Sequence, residues 1–88
     1  MNTVLTETVD LRRGHIRARG HLTVQGADLL RGTADSLRGA GHTRVVLDLT
    51  GVRGADDAGL DVLRSLRRSF TDAGGELLIR RATAAGPA

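Results

Sequence analysis

The stretch Val45-Val46-Leu47-Asp48-Leu49-Thr50-Gly51, continuing as Val52-Arg53-Gly54-Ala55-Asp56-Asp57-Ala58-Gly59-Leu60-Asp61-Val62-Leu63, decides how the whole chain is read. Its first part is β-branched and nearly continuous in apolar character, the signature of a buried strand that ends at Thr50-Gly51. A short loop is expected next, and then a helix opening on the adjacent carboxylates Asp56 and Asp57. A buried strand that delivers acidic residues to the first turn of a helix marks a place where α/β folds hold recognition chemistry.

Working outward, the periodicity gives the order β-β-α-β-α-β. Thr3 to Asp10 alternates and is rich in β-formers, and His15 to Leu22 alternates again after the turn Leu11-Arg12-Arg13-Gly14, so the two form an antiparallel hairpin. From Gly26 the period becomes helical, with Ala27, Leu30, Ala34 and Leu37 on one face, until Gly39-Ala40-Gly41 stops it. Gly32 inside this helix costs about 1 kcal/mol relative to Ala. Arg44 to Leu49 is the central strand, covered on both sides or flanked by crossovers. The second helix is expected from about Ala58 to Asp72, burying Leu60, Leu63, Leu66 and Phe70 with Val62 at the edge. Acid at its start and arginine toward its end both suit the helix dipole. Ala73-Gly74-Gly75 ends it, and Glu76 to Arg80 forms the last strand. One domain over residues 1–81 is expected, with a disordered Ala/Gly/Pro-rich tail over 82–88.

Composition narrows the function. A chain of 88 residues buries about 60–65% of the surface it exposes when unfolded, so the core is thin, and with Phe70 as the sole aromatic it must be aliphatic. The lack of Cys removes disulfides and thiolate metal sites. All 13 basic residues are Arg, and a net charge of only +3 still yields a pI of about 11.3 because, with no Lys, Tyr or Cys, little titrates between His and Arg. Acids are interspersed with the arginines and no aromatic offers a stacking platform, so the pI is no nucleic-acid footprint. Without Lys there is no P-loop, no Schiff base and no lysine-dependent receiver site. Neither a signal peptide nor a membrane span is legible, and a cytoplasmic protein is the expectation. An arginine-only, Ala/Gly-rich chain is also what a G+C-rich coding sequence produces.

These motifs resemble the STAS domain of bacterial anti-sigma factor antagonists. The family pattern is a strand reading roughly Val-Leu-Asp-Leu-Ser-Gly-Val, then Ile-Asp-Ser-Ser-Gly-Leu, a helix, and Gly-Gly-x-Leu before a core strand. The counterparts are Val46 to Val52, Ala55-Asp56-Asp57-Ala58-Gly59-Leu60, and Gly74-Gly75-Glu76-Leu77. Gly20-His21-Leu22-Thr23 answers an upstream Gly-x-Leu-Asp. The resemblance covers about residues 4 to 80 and implies a mixed β-sheet with helices packed on one face. It also implies a non-enzymatic role in transcription regulation, through binding of an anti-sigma factor with a histidine-kinase-like ATPase fold.

The departures from the pattern shape the functional expectation. In the family the first Ser after the loop Asp is phosphorylated by the partner kinase, which releases the antagonist. Asp57 stands at that position and Ala58 replaces the next Ser, so no hydroxyl remains. Asp57 is a partial phosphomimetic, with one fixed charge where phosphorylation supplies nearly two. Thr23 likewise replaces the Asp of Gly-x-Leu-Asp. Switching at the usual Ser is expected to be lost, and the contact surface is expected to comprise Thr23, Gly54, Ala55, Asp56, Asp57, Ala58 and Asp61. The plain alternative is that Asp56 or Asp57 simply caps the helix, with Asp56 the more structural of the pair. Thr50, Ser36, Ser65 and Ser69 are the remaining hydroxyls and read as ordinary turn or helix residues. The family's C-terminal helix has no counterpart, so an apolar strip is expected to be met by a homodimer or a larger partner.

Two further readings stay open: a scaffolding STAS subunit of a signalling or lipid-transport assembly, and a nucleotide or lipid sensor using a groove by Thr23 and Asp57. A cation shared by Asp57 and Asp61, with Asp48 and Asp56 nearby, lacks the ligands to complete a cage. His15, His21 and His42 have no ligand spacing and read as surface or interface residues. No catalytic constellation, metal or cofactor is expected.

Overall fold

The structure, a computed structural model, describes residues 5–81. Its elements are β1 (Thr6–Asp10), β2 (His15–Leu22), α1 (Val24–Gly39), β3 (Arg44–Ala55), α2 (Asp57–Asp72) and β4 (Glu76–Arg81). The expected disordered tail, 82–88, lies outside the described residues, as do Thr3 and Val4 of the first expected strand.

The four strands form one mixed sheet in the order β1-β2-β3-β4. β1 pairs antiparallel with β2, while β2–β3 and β3–β4 are parallel. Gly14 closes the hairpin at φ +70 with its N–H donating to the Asp10 carbonyl at 3.0 Å, a conformation glycine adopts without steric cost. Both parallel connections run through a helix and both advance across the sheet in the same direction. Right-handed crossovers therefore put α1 and α2 on the same face, where they also contact each other.

That face holds the core. Ile16 and Ala18 of β2, Val45, Leu47 and Leu49 of β3 and Leu77 of β4 pack under Leu30, Ala34 and Leu37 of α1 and Leu63, Leu66 and Phe70 of α2. Phe70 is fully buried, and the Arg38 guanidinium lies 4.7 Å from its ring centroid. Glu7 also faces the helices, accepting from the Thr33 hydroxyl at 2.7 Å. The opposite face carries no helix among the described residues. It shows a polar row, Thr8, Arg17, Asp48 and Arg80, in register across all four strands. Of the two arrangements expected for the central strand, the structure has the one flanked by crossovers: Val46 and Asp48, pointing away from the helices, are half-buried.

Three features differ from the sequence reading. β3 runs on to Ala55, so the expected loop from Thr50 is strand. It continues because Gly51 and Gly54 lie where β2 approaches closely: a Cβ at Gly51 would sit 3.0 Å from the Arg19 side chain, and one at Gly54 3.0 Å from the His21 ring. The β2–β3 register shifts between Arg17 and Arg19 and between Gly20 and His21, the irregularity expected where one strand carries extra residues. α1 starts at Val24, two positions before Gly26, because Thr23 caps it. α2 ends on Ser69-Phe70-Thr71-Asp72, so its last turn has no basic residue and the expected dipole match holds only at its start.

Candidate functional site

The site assembles where β2 and β3 end side by side, at the carboxyl edge of the parallel strands. Leu22 and Ala55 are paired there, and the Asp56 N–H donates to the Leu22 carbonyl at 2.9 Å. One residue later α2 begins. Asp56 is its N-cap by backbone geometry (φ −80, ψ 145), and its carbonyl accepts the Leu60 N–H at 3.0 Å.

The Asp56 side chain corrects the capping expectation. It makes no cap hydrogen bond; its Oδ1 lies 3.1 Å from His21 Nε2 instead. The conventional cap sits next door. The Thr23 hydroxyl accepts the Gly26 N–H at 3.1 Å, and the Thr23 carbonyl accepts the Ala27 N–H at 2.8 Å. Thr23 thus secures α1, a contribution of about 1 kcal/mol for such a cap.

The first turn of α2 is pressed against this junction. A Cβ at Gly59 would lie 3.0 Å from the Thr23 carbonyl oxygen, so glycine at 59 permits the close packing. The structure thereby brings Thr23, Gly54, Ala55, Asp56, Asp57 and Ala58 to one end of the sheet. Asp61 stands one turn further along α2 and is paired with Arg64 at 2.8 Å. From Ala55 to Ala58 every residue is exposed. Asp57 occupies the first turn of α2, where a carboxylate is favoured by about 0.3–1 kcal/mol, and it makes no ion pair among the described residues.

His21 is the residue that sequence reasoning missed. Its ring is held between Gly54 and Asp56, so the carboxylate of Asp56 is occupied and Asp57 is the free one of the pair. The only legible signal was the strand-end position of His21 beside Leu22.

The other candidates are placed elsewhere. Thr50 donates both its N–H (2.9 Å) and its hydroxyl (2.7 Å) to Asp48 Oδ1. These two bonds, helped by the Arg17 and Arg80 charges, hold the Asp48 carboxyl below its ordinary value. Asp48 belongs to the open sheet face and is not part of the α2 entrance. His42 Nε2 is 2.7 Å from the Leu11 carbonyl oxygen and braces the hairpin. His15 lies on the open sheet face, paired with Val46. No group of three or more His, Asp or Glu side chains with metal-binding geometry occurs among the described residues, and among them no helix is long and apolar enough to cross a membrane. The cleft beside the site is lined by Leu22, Leu49, Val52, Arg53, Leu60 and Arg81 together with Gly54 and Ala55 of the expected contact surface, while neither Thr23 nor Asp57 contributes.

The family model described as "Mlab, STAS domain" matches residues 5–87. The chain therefore belongs to the STAS domain family. No curated protein matches it.

Proposed function

We propose that this STAS domain is a non-enzymatic protein-interaction module of the anti-sigma factor antagonist type. Its partner is an anti-sigma factor, or a related regulator, with a histidine-kinase-like ATPase fold. Contact is made through Gly54 to Asp61, and Asp57 keeps the interaction outside phosphoswitching. The observation that carries this reading is the exposed run Ala55-Asp56-Asp57-Ala58 at the carboxyl edge of the parallel strands, where open α/β sheets present their binding groups. Asp56 is engaged with His21, which leaves the Asp57 carboxylate as the charge a partner meets. A side chain with no hydroxyl cannot accept a phosphoryl group as Ser does, so the charge at this position is constant.

The test is affinity capture from the native cell extract with the wild-type chain and with Asp57→Ser, identifying bound proteins by mass spectrometry. An ATPase-type regulator retained by the wild type supports an unswitched antagonist. Retention by Asp57→Ser alone means that Asp57 holds the domain released.

A second reading, a scaffolding STAS subunit of a larger assembly, is equally supported by membership of the STAS domain family. Capture of a large assembly by both forms, with no kinase-like ATPase, would replace the first reading with this one.

A further inference from the structure

A groove runs between α2 and the β4 edge of the sheet. One part of it is lined by Leu49, Leu60, Leu63 and Ile79, with Arg64, Arg67 and Arg81 around them. The neighbouring cleft shares Leu49, Leu60 and Arg81 and adds Val52 and Arg53, so the two form one continuous depression. Its floor is apolar, with Leu49 and Leu63 almost fully buried and Leu60, Val52 and Ile79 partly so. Every charged residue lining it is an arginine. Arg64 is paired with Asp61, whereas Arg53 and Arg67 make no ion pair among the described residues.

No other surface of the described residues combines these properties. On the open sheet face Arg17 is matched to Asp48 and Arg44 to Glu76, and the cleft there is lined by Asp10 and Asp48 as well as by arginines. The exposed Leu11 and Leu29 stand apart on the hairpin and on α1, and scattered apolar residues of that kind are normal. The sub-cavities measure about 210 and 170 Å3, below the roughly 300–1,000 Å3 of a small-molecule pocket, so they fit individual side chains of a larger body.

We propose that the groove between α2 and β4 docks an amphipathic helix of a partner protein, its leucine-type residues on Leu49, Leu60 and Ile79 and its acidic flanks on Arg53, Arg64, Arg67 and Arg81. Arg64 and Arg67 are one turn apart on α2, the spacing at which carboxylates at i and i+3 or i+4 of a second helix stand. Strand addition is disfavoured, because β4 ends in Arg80-Arg81 and charged edges resist pairing. A second copy is disfavoured too, since its own groove would bring arginines against arginines. The groove adjoins the Asp57 surface and shares Gly54, Ala55 and Leu60 with the segment Gly54 to Asp61, but Asp57 lines neither part of it, so the proposal does not rest on the Asp57 reading.

The test is fluorescence anisotropy of the full chain with a labelled helix-forming peptide of about 16 residues, carrying Leu at i, i+3, i+4 and i+7 and Glu on both flanks. A peptide with Lys flanks and a scrambled Glu peptide serve as controls. The wild type should bind the Glu peptide at least about tenfold more tightly than either control. The doubly reversed variant Arg64→Glu, Arg67→Glu, shown to be folded by its thermal transition, should lose at least about tenfold and gain affinity for the Lys peptide. Asp57→Ser should bind within about twofold of wild type, which separates this result from the fate of the Asp57 surface. Equal binding of the scrambled peptide, no effect of charge reversal, or no binding up to about 1 mM would overturn the proposal. It would equally be overturned by a sedimentation dimer abolished in the double variant, which assigns the groove to a second copy. Binding to phosphatidylglycerol vesicles that the double variant loses while peptide binding stays unchanged would assign it to a lipid surface, with the same consequence.

Discussion

His21 and Asp56 meet at 3.1 Å across a separation of 35 residues, joining the end of β2 to the cap of α2. This contact ties the start of α2 to the sheet and engages one of the two adjacent carboxylates, leaving Asp57 as the one without an ion pair among the described residues. The pair is partly exposed, with side-chain accessibilities of 37% and 55%, so its coupling should be small. A double-mutant cycle of His21→Ala and Asp56→Asn in urea unfolding is expected to give about 0.2–1 kcal/mol. A coupling near zero would mean that the contact does not constrain the site.

Two glycines in helices should respond to alanine in opposite directions. Gly32 lies within α1 with nothing inside 4 Å of the place a methyl group would take, so Gly32→Ala should stabilise the chain by about 0.5–1 kcal/mol. Gly59 is pressed against the Thr23 carbonyl, and Gly59→Ala should destabilise by about 1–3 kcal/mol through overpacking. Urea midpoints at constant m-value check both signs.

Phe70 is the only aromatic side chain and lies fully buried between α2 and the sheet. Phe70→Ala should cost about 3–5 kcal/mol, a large share of the roughly 5–15 kcal/mol that holds a domain of ordinary stability. Calorimetry should show a strongly lowered Tm or no cooperative transition at all. A fall of only a few degrees would show that the neighbouring leucines collapse into the space.

Asp48 links stability to acid pH. The two bonds from Thr50, followed by the Arg17 and Arg80 charges, favour its ionised form in the folded chain. The unfolded chain therefore binds its proton at higher pH. The stabilisation is complete above the unfolded carboxylate value and is lost as pH falls through the lower, folded one. Tm followed against pH should show wild type and Asp48→Asn converging as the solution is acidified. Parallel curves would remove Asp48 from the linkage.

The fold was legible because its signals are local. The helical repeat of Ala27, Leu30, Ala34 and Leu37, the stripe from Leu60 to Phe70 and the aliphatic run from Val45 to Leu49 each specify an element by periodicity alone. The full length of β3 was hidden because Gly51 and Gly54 read as turn residues. Only their close approach to Arg19 and His21 shows why glycine is needed within the strand. The start of α1 was hidden because Val24-Gln25 lies off the apolar repeat, and Thr23, read as a partner contact, is the cap that precedes them. His21 was missed because its pairing depends on the β2–β3 register, which shifts twice along the strand and is not encoded by any local pattern. Thr23, Gly54 and Asp57 were drawn to one place by motif resemblance. Their convergence follows from a single residue, Asp56, separating the end of β3 from the start of α2.

The proposed function stands or falls with the entrance of α2 being the surface a kinase-like ATPase partner meets. A photo-crosslinking side chain placed at Ala58, and separately at Thr71 near the far end of the same helix, probes that surface in native extract with mass-spectrometric identification. Both positions are exposed, so neither should disturb the fold. A crosslink to a histidine-kinase-like ATPase domain is expected from position 58 and none from position 71. Such a protein crosslinked from 71 alone, or no kinase-like protein from either position, would refute the assignment.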